Sequence, residues 1–495
     1  MIHELERLGG LGSELTRRAR SAGMMLVWRA QARSIRRVLV TAGRTEDSRG
    51  SMMSGQGLQI VTPEGRTLLA SRDGFDPEPT LALLDRTIDT AARGDNLGLN
   101  RKGVPEMAAL SAREIPGGLE AFERIDPTAA AIRLAELEAE IARSVPGVTL
   151  RMSFQAELDA WRILRSDGTD VLYAAPRCTL RVSATAGGDG ERHSVAAAVA
   201  GPDPALPWSD PASALLVRRG AAAAALARAL PDAPPHPAGT YPLVIDYALA
   251  KGLAHEAFGH AAEADGFRSS LLAREGRYRA GEAVGAGHVS IVDEPVRGDY
   301  AWQPFSANGL RRERATIVDH GRLADALSDP WSAGPGGVRL TGAERAESYR
   351  HAPIPRMSNI RIEVEGAQPA PGAFEDYGPN ELRDLLDRAG VLRRHPRIVL
   401  LAGYAGGQVN TVTGDFVFHC KAIHALGPEG IRLHRPAIFS GSMLGALGAI
   451  REAFGPLMLD AIGTCGKWGQ SVPSSGGSHY FLVLDPDPSF RLGGA

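Results

Sequence analysis

Cysteine is scarce. Cys178, Cys420 and Cys465 are the only three in 495 residues. An odd number at wide spacings excludes a disulfide framework and points to free thiols in a reducing compartment. Lysine is rarer still in proportion: Lys102, Lys251, Lys421 and Lys467 are the only four among 55 basic residues. Together with abundant Ala and Gly, that arginine bias fits a GC-rich genome. The net charge of −2 leaves no basic excess, which argues against a dedicated nucleic-acid binder. No run of about 18 uninterrupted apolar residues exists, so no membrane-spanning helix is expected. Met1 to Arg20 is charged and lacks the apolar core of a secretory signal. These absences lead to the expectation of a cytoplasmic protein with no membrane and no nucleic-acid partner.

What is plentiful is glycine and proline, 58 and 33 residues, about 18% against a usual share of about 12%. No Gly-X-Y period accompanies them, so the chain is rich in turns rather than collagen-like. The length allows two or three domains. Apolar stretches at Met24–Val27 and Ile35–Val40 precede a turn at Pro63–Gly65 and a strand near Leu68. Asp76 before Pro77 opens a helix expected to run to Ala92, and a loop is expected from Gly94 to Gly118. Asp126–Pro127 opens a second helix, with Ile132, Leu134, Leu137 and Ile141 at helical spacing and Pro146 beyond its end. Alternation at Val148, Leu150, Met152 and Phe154, a turn at Asp167–Gly168, and alternation at Cys178, Leu180, Val182 and Ala184 predict a hairpin. Cys178 then reads as a packing thiol. Ala214 to Leu230 reads as a helix. Four prolines between 231 and 237 read as a linker, about 231–239.

That linker divides the chain into an N-terminal α/β domain, 1–235, and a second domain, 240–495. In the second, a strand at Tyr241–Ile245 leads into a helix expected over Asp246 to about Asp265. Short apolar runs follow at Val289–Val292, Ala315–Val318, Ile360–Val364, Ile398–Leu401, Phe416–Phe418 and Phe481–Leu484, separated by turn residues. They predict a sheet-dominated or barrel-like unit and an α+β chain overall.

The chemistry concentrates at His255-Glu256-Ala257-Phe258-Gly259-His260. Two histidines and a glutamate on one helix follow the logic of H-E-x-x-H zinc proteases, where imidazoles bind metal and Glu acts as base. Here one residue is inserted. On an ideal α-helix positions i and i+5 stand about 140° apart, so His255 and His260 do not share a face. A π-bulge absorbs one residue, and a helix end or bend would serve as well; Gly259 eases either. The alternative is a chance pair, since 13 histidines are present and His419 and His424 are also five apart. Those two flank Cys420 and lack an adjacent carboxylate. A catalytic zinc needs a third protein ligand. Cys465, in the glycine-flanked loop Gly463-Thr464-Cys465-Gly466-Lys467, is a candidate, with Lys467 placed to favour its thiolate.

Four motifs in order, HEAFGHAAEADGF at 255–267, ERAESYRHAPIPRMSN at 344–359, GGQVNTVTGDFVF at 406–418 and CGKWGQSVP at 465–473, resemble the TldD/PmbA metallopeptidase family, in particular its metal-binding TldD-type subunit. The resemblance implies an N-terminal α/β domain and a C-terminal domain of curved antiparallel sheet carrying a metal-binding helix. It implies one Zn²⁺ per active subunit held by His255, His260 and Cys465, with Glu256 as general base. It also implies a peptide substrate, unfolded or a precursor, taken up by strand addition, and either a TldE-type partner subunit or a homodimer. Glu263 is placed to orient His260, unless it is a solvent-facing helix carboxylate. His479 and Tyr480 are candidates for oxyanion or substrate contacts, against the simpler reading of a sheet-facing tyrosine. The chain departs from the family at His419–His424 and at Ser474–Tyr480, which bears on substrate choice. Two other readings compete: a metal-dependent enzyme acting on a C–N bond of a small natural-product intermediate, and a non-catalytic partner subunit.

Overall fold

The computed structural model describes residues 1–93, 105–187 and 192–493. Residues 94–104 of the expected Gly94–Gly118 loop lie outside these; within the rest of it, Ser111–Glu114 is a short strand. The first half of the chain builds a seven-stranded sheet. The apolar stretches at Met24–Val27 and Ile35–Val40 belong to a single strand, Met25–Thr41, which pairs along its length with Arg44–Val61 and Thr149–Arg165. Gly168, at φ +106, makes the expected turn between Thr149–Arg165 and Asp170–Gly187. Every pairing is antiparallel except Ser111–Glu114 against Asp170–Tyr173. The unit is therefore an antiparallel sheet with helices laid on it, not the alternating parallel architecture that "α/β" describes.

Helices Pro77–Ala92, Pro127–Ser144 and Asp210–Ala229 cover one face, where Leu84, Leu134, Leu137, Ile141 and Leu216 meet Leu26, Trp28, Phe154 and Leu180 in one core. Asp126 caps its helix through the Thr128 N–H at 2.8 Å; Asp76 makes no such bond. The third helix begins four residues before the expected Ala214, because Pro211 occupies the first turn, where its missing N–H costs nothing. On the opposite face Val27, Trp161, Ile163 and Tyr173 pack against Phe305 and Tyr349 of the second half. Arg29 reaches the Ala307 carbonyl at 2.5 Å and Asn308 at 2.8 Å. Gln31 accepts the Tyr349 N–H at 3.0 Å.

The proline-rich stretch is tied down: Arg435 donates to the carbonyls of Pro231 and Ala233. Beyond it a 13-stranded sheet forms. Its path runs from Arg322–Leu323 at one end to Phe490–Leu492 at the other, and these end strands do not pair. Among the described residues there is thus no closed barrel, which corrects the barrel-like expectation. The strand cores read from short apolar runs are present but longer: Ile398–Asn410, Asp415–Gly427 and Gln470–Leu484. Leu243–Asp246 lies at the centre, parallel to Val399–Leu401 and antiparallel to Phe481–Leu484. The chain leaves it directly into the helical segment that carries the two histidines.

Candidate metal centre

Asp246 starts that segment by accepting the Leu249 N–H at 2.9 Å. Tyr247–Gly252 is α-helical, Leu253–Gly259 is π-helical, and His260–Ala262 is a 3₁₀ turn. The single helix expected to about Asp265 is therefore shorter and of mixed winding. Leu249, Leu253, Ala254, Ala257, Phe258 and Ala261 are fully buried against the second sheet. Burying Phe258 alone is worth about 1.5–3 kcal/mol, which fixes the rotation of the segment and turns His255, Glu256 and His260 the other way. The inserted residue is absorbed by the π turn: the His260 N–H donates to the His255 carbonyl five residues back, stacking one histidine above the other. Their rings stand perpendicular with centroids 5.2 Å apart. A Cβ at Gly259 would lie 1.9 Å from the Met357 sulfur, so any larger residue forces that buried side chain to move.

Cys465 meets them from 205 residues away, its Sγ 3.7 Å from His260 Nε2. It is not in a loop. It lies on the strand Gly463–Lys467, opposite Val472, and only the turn at Trp468–Gly469 is irregular, with φ of +50 and +75. The donor atoms of His255, His260 and Cys465 all lie within 4.8 Å of one another, and no other group of three or more such residues occurs among the described residues. His255 is 1% exposed, its Nδ1 is buried without a hydrogen-bond partner, and burial holds its pKa well below the usual histidine value. A neutral, otherwise unpaired imidazole is a fitting metal ligand.

His260 differs. Burial alone would lower its pKa, but the Glu263 carboxylate and the Cys465 sulfur raise it well above the usual value. A carboxylate at Nδ1 and a sulfur near Nε2 make an electron-rich surrounding that suits a divalent cation. Glu263 is 2% exposed, which excludes the solvent-facing alternative; its Oε2 lies 3.1 Å from His260 Nδ1 and 2.8 Å from Lys467 Nζ. Lys467 also bonds Asp265 at 2.8 and 2.9 Å. It thus serves the carboxylates rather than Cys465, contrary to the sequence reading. The cation on the sulfur is Arg356, Nε to Sγ 3.3 Å. Nothing marked it in isolation, although it stands inside the motif at 344–359.

Glu256 Oε2 is 3.9 Å from His260 Nε2, and Tyr404 donates to Oε1 at 3.3 Å. Burial raises the Glu256 pKa against the pull of His260 and Lys251, the direction that suits a proton acceptor working near neutrality. Glu256, His260 and Glu263 border a polar cavity of about 570 Å³ whose rim includes Gln408, Thr411, Thr464 and Trp468. That volume suits a small ligand or a few residues of peptide.

His479 and Tyr480 are elsewhere. His479 accepts the Val364 N–H at 3.2 Å and lines a separate cavity with His288 and His320. The Tyr480 hydroxyl bonds the Gly372 carbonyl, and its ring packs on Phe374. The divergent His419–His424 segment also stays outside the cavity lining; the Cys420 thiol is buried against the Ala437 carbonyl. From Ser474–Tyr480, only Ser474 approaches the site, accepting from Lys251 Nζ at 3.1 Å.

Two family models match the chain, the PmbA/TldA metallopeptidase central domain over residues 120–230 and the C-terminal domain over 238–453. A metalloprotease of Methanothermobacter thermautotrophicus is 26% identical over 448 residues, covering 89% of this chain and 90% of that protein. A metalloprotease of Methanocaldococcus jannaschii is 30% identical over 249 residues, half of each chain, so the match spans about half the length of that relative. The crystal structure of TldE from Thermococcus kodakarensis superposes with a TM-score of 0.73 over 98% of this chain and all of that one, at 13% identity; this likeness concerns the fold alone.

Proposed function

The chain belongs to the PmbA/TldD metallopeptidase family, and from that premise we propose that it is a zinc-dependent peptidase of the TldD type, hydrolysing unfolded or precursor peptides. One observation carries the reading: two imidazoles and a thiol converge within 4.8 Å, with the Glu256 carboxylate 3.9 Å from one of them. Such a set, three N/S donors with room for a fourth group, matches catalytic zinc rather than calcium or magnesium. Zinc held there supplies Lewis acidity, making water a stronger acid and a carbonyl a better electrophile.

The residues do the rest. Glu256 takes the proton of the attacking water and returns it to the departing amine. Glu263 holds His260 by Nδ1, so that Nε2 faces Cys465. The substrate class is supported by two strand edges at the cavity. Among the described residues, 404–410 pair with Asp415–Cys420 on one side only, and Gly463–Lys467 pairs only with Gln470–Ser474. An extended peptide lying between them is read by its backbone. A TldE-type subunit or a second copy of this chain completes the enclosure.

The test is purified protein assayed for zinc content, for cleavage of unfolded peptides and for cleavage of small amides, with Glu256→Gln beside it. About one zinc per chain, peptide cleavage, and loss of at least 10²-fold in turnover at unchanged zinc in Glu256→Gln are expected. Full activity in that variant removes Glu256 as the base. Cleavage of small amides alone would instead favour a small-molecule C–N substrate.

A further inference from the structure

Behind Cys465 the fold buries three cations. Arg356 is 0%, Arg345 1% and Lys251 6% exposed. None of the three pairs with a carboxylate among the described residues. Lys251 bonds only Ser474. Arg345 bonds Gln303 and the carbonyls of Met357 and Pro473. Arg356 donates to the carbonyls of Cys465 and Gln470 and, through Nε, to the Cys465 sulfur at 3.3 Å. Burying a cation is costly unless its N–H groups are bonded. Of the three, Arg356 alone bonds the Cys465 sulfur; the carboxylate that pulls most on Lys251 is Glu256.

We propose that Arg356 is a positioning residue for the metal centre, which aims the Cys465 sulfur at His255 and His260 and draws electron density from it. The aiming follows from the fork. One planar guanidinium bonds both strands of the Gly463–Leu484 hairpin and the sulfur between them, a pattern that a lysine ammonium cannot reproduce. The electronic effect follows from the bond to sulfur. A thiolate is the most electron-rich ligand of the three and lowers the Lewis acidity of whatever ion it holds. A charge-assisted N–H···S bond stabilises the sulfur lone pairs and restores part of that acidity. A His₂Cys centre thereby works closer to one with neutral ligands.

The inference rests on Cys465 being a ligand, and the experiment separates the two questions. Cobalt(II) replaces zinc in wild type, Arg356→Lys and Cys465→Ser, and the sulfur-to-cobalt charge-transfer band is recorded in the near ultraviolet. Wild type is expected to show the band and Cys465→Ser to lose it. In Arg356→Lys, at full cobalt stoichiometry, the band is expected to move to longer wavelength, because an unbonded sulfur is easier to oxidise. An unmoved band overturns the proposal while leaving the ligand in place. No band in the wild type removes the ligand, and the proposal with it. Should Arg356→Lys not fold, ¹¹³Cd-loaded wild type with ¹⁵N-arginine decides. Scalar coupling from cadmium to one arginine Nε–H through the sulfur supports the proposal, and its absence overturns it.

Discussion

Glu263→Gln isolates the charge behind His260. The substitution keeps the size of a side chain that is 2% exposed and keeps an oxygen able to accept from Nδ1, so it removes the negative charge and little else. The Glu263 Oε2 atom serves both His260, at 3.1 Å, and Lys467, at 2.8 Å. Stripping one partner from a buried pair commonly costs about 3–5 kcal/mol. Lys467, however, keeps Asp265 at 2.8 and 2.9 Å. The fold should therefore lose only about the worth of one charged hydrogen bond, roughly 1.5–3 kcal/mol. At the metal, loss of a carboxylate behind a histidine ligand typically weakens binding about 10–100-fold, or about 1.4–2.7 kcal/mol. Zinc affinity is read by competition with a chromophoric chelator, and melting in excess EDTA gives the cost to the fold separately. Zinc affinity within threefold of wild type would refute the argument that Glu263 supports the ligand.

Three further outcomes are expected. Cys465→Ser should lower zinc content measured by elemental analysis; full stoichiometric zinc would strike Cys465 from the ligand set. Gly259→Ala places a Cβ 1.9 Å from the Met357 sulfur. Overpacking of about 1–3 kcal/mol should outweigh the roughly 1 kcal/mol gained in helix propensity, so Tm falls, and Met357→Ala in the same chain should recover much of the loss. Glu344 is fully buried where the two sheets meet, bonded to Asn308 at 3.1 Å; burial, then the Asp329 carboxylate, push its pKa from 4.5 to about 7. The folded state thus holds this proton more tightly than the unfolded chain. Stability is full below pH 4.5 and falls as pH rises to 7, by at most about 3 kcal/mol. Glu344→Gln should flatten that part of the pH–stability profile, and an unchanged slope in denaturant titrations at pH 5, 6 and 7 would count against it.

How far the sequence reaches depends on how local the determinant is. Helix Pro77–Ala92 is legible because its start is written in Pro77 and its face in the 3.6-residue spacing of Thr80, Leu84, Thr87 and Ala91. The i, i+5 histidine pair is open to a π turn or a helix end, and the sequence does not choose; nor does it show Met357, about a hundred residues away, packed against Gly259. Flanking glycines suggest a loop at Cys465, whereas both lie on a strand and only Gly463 is closely approached, by Lys251 Nζ at 3.2 Å from where a Cβ would stand. Proximity in sequence pairs Lys467 with Cys465. In the fold its side chain reaches Asp265 and Glu263, and Arg356, far off in the chain, takes the sulfur. Adjacency in sequence likewise suggested His479 and Tyr480, but β-structure carries a chain away from a point at about 3.3 Å per residue. They sit at the far end of the strand that begins at Gln470.

The separation of 205 positions between His260 and Cys465 also sets a clock. At about 5–20 residues per second of synthesis, roughly 10–40 s separate the appearance of the second histidine from that of the thiol. Throughout that interval a growing chain has two donors and its base but no third donor. Under the proposed function, the protein's own nascent segments, the nearest unfolded polypeptide of all, emerge before its metal set is complete.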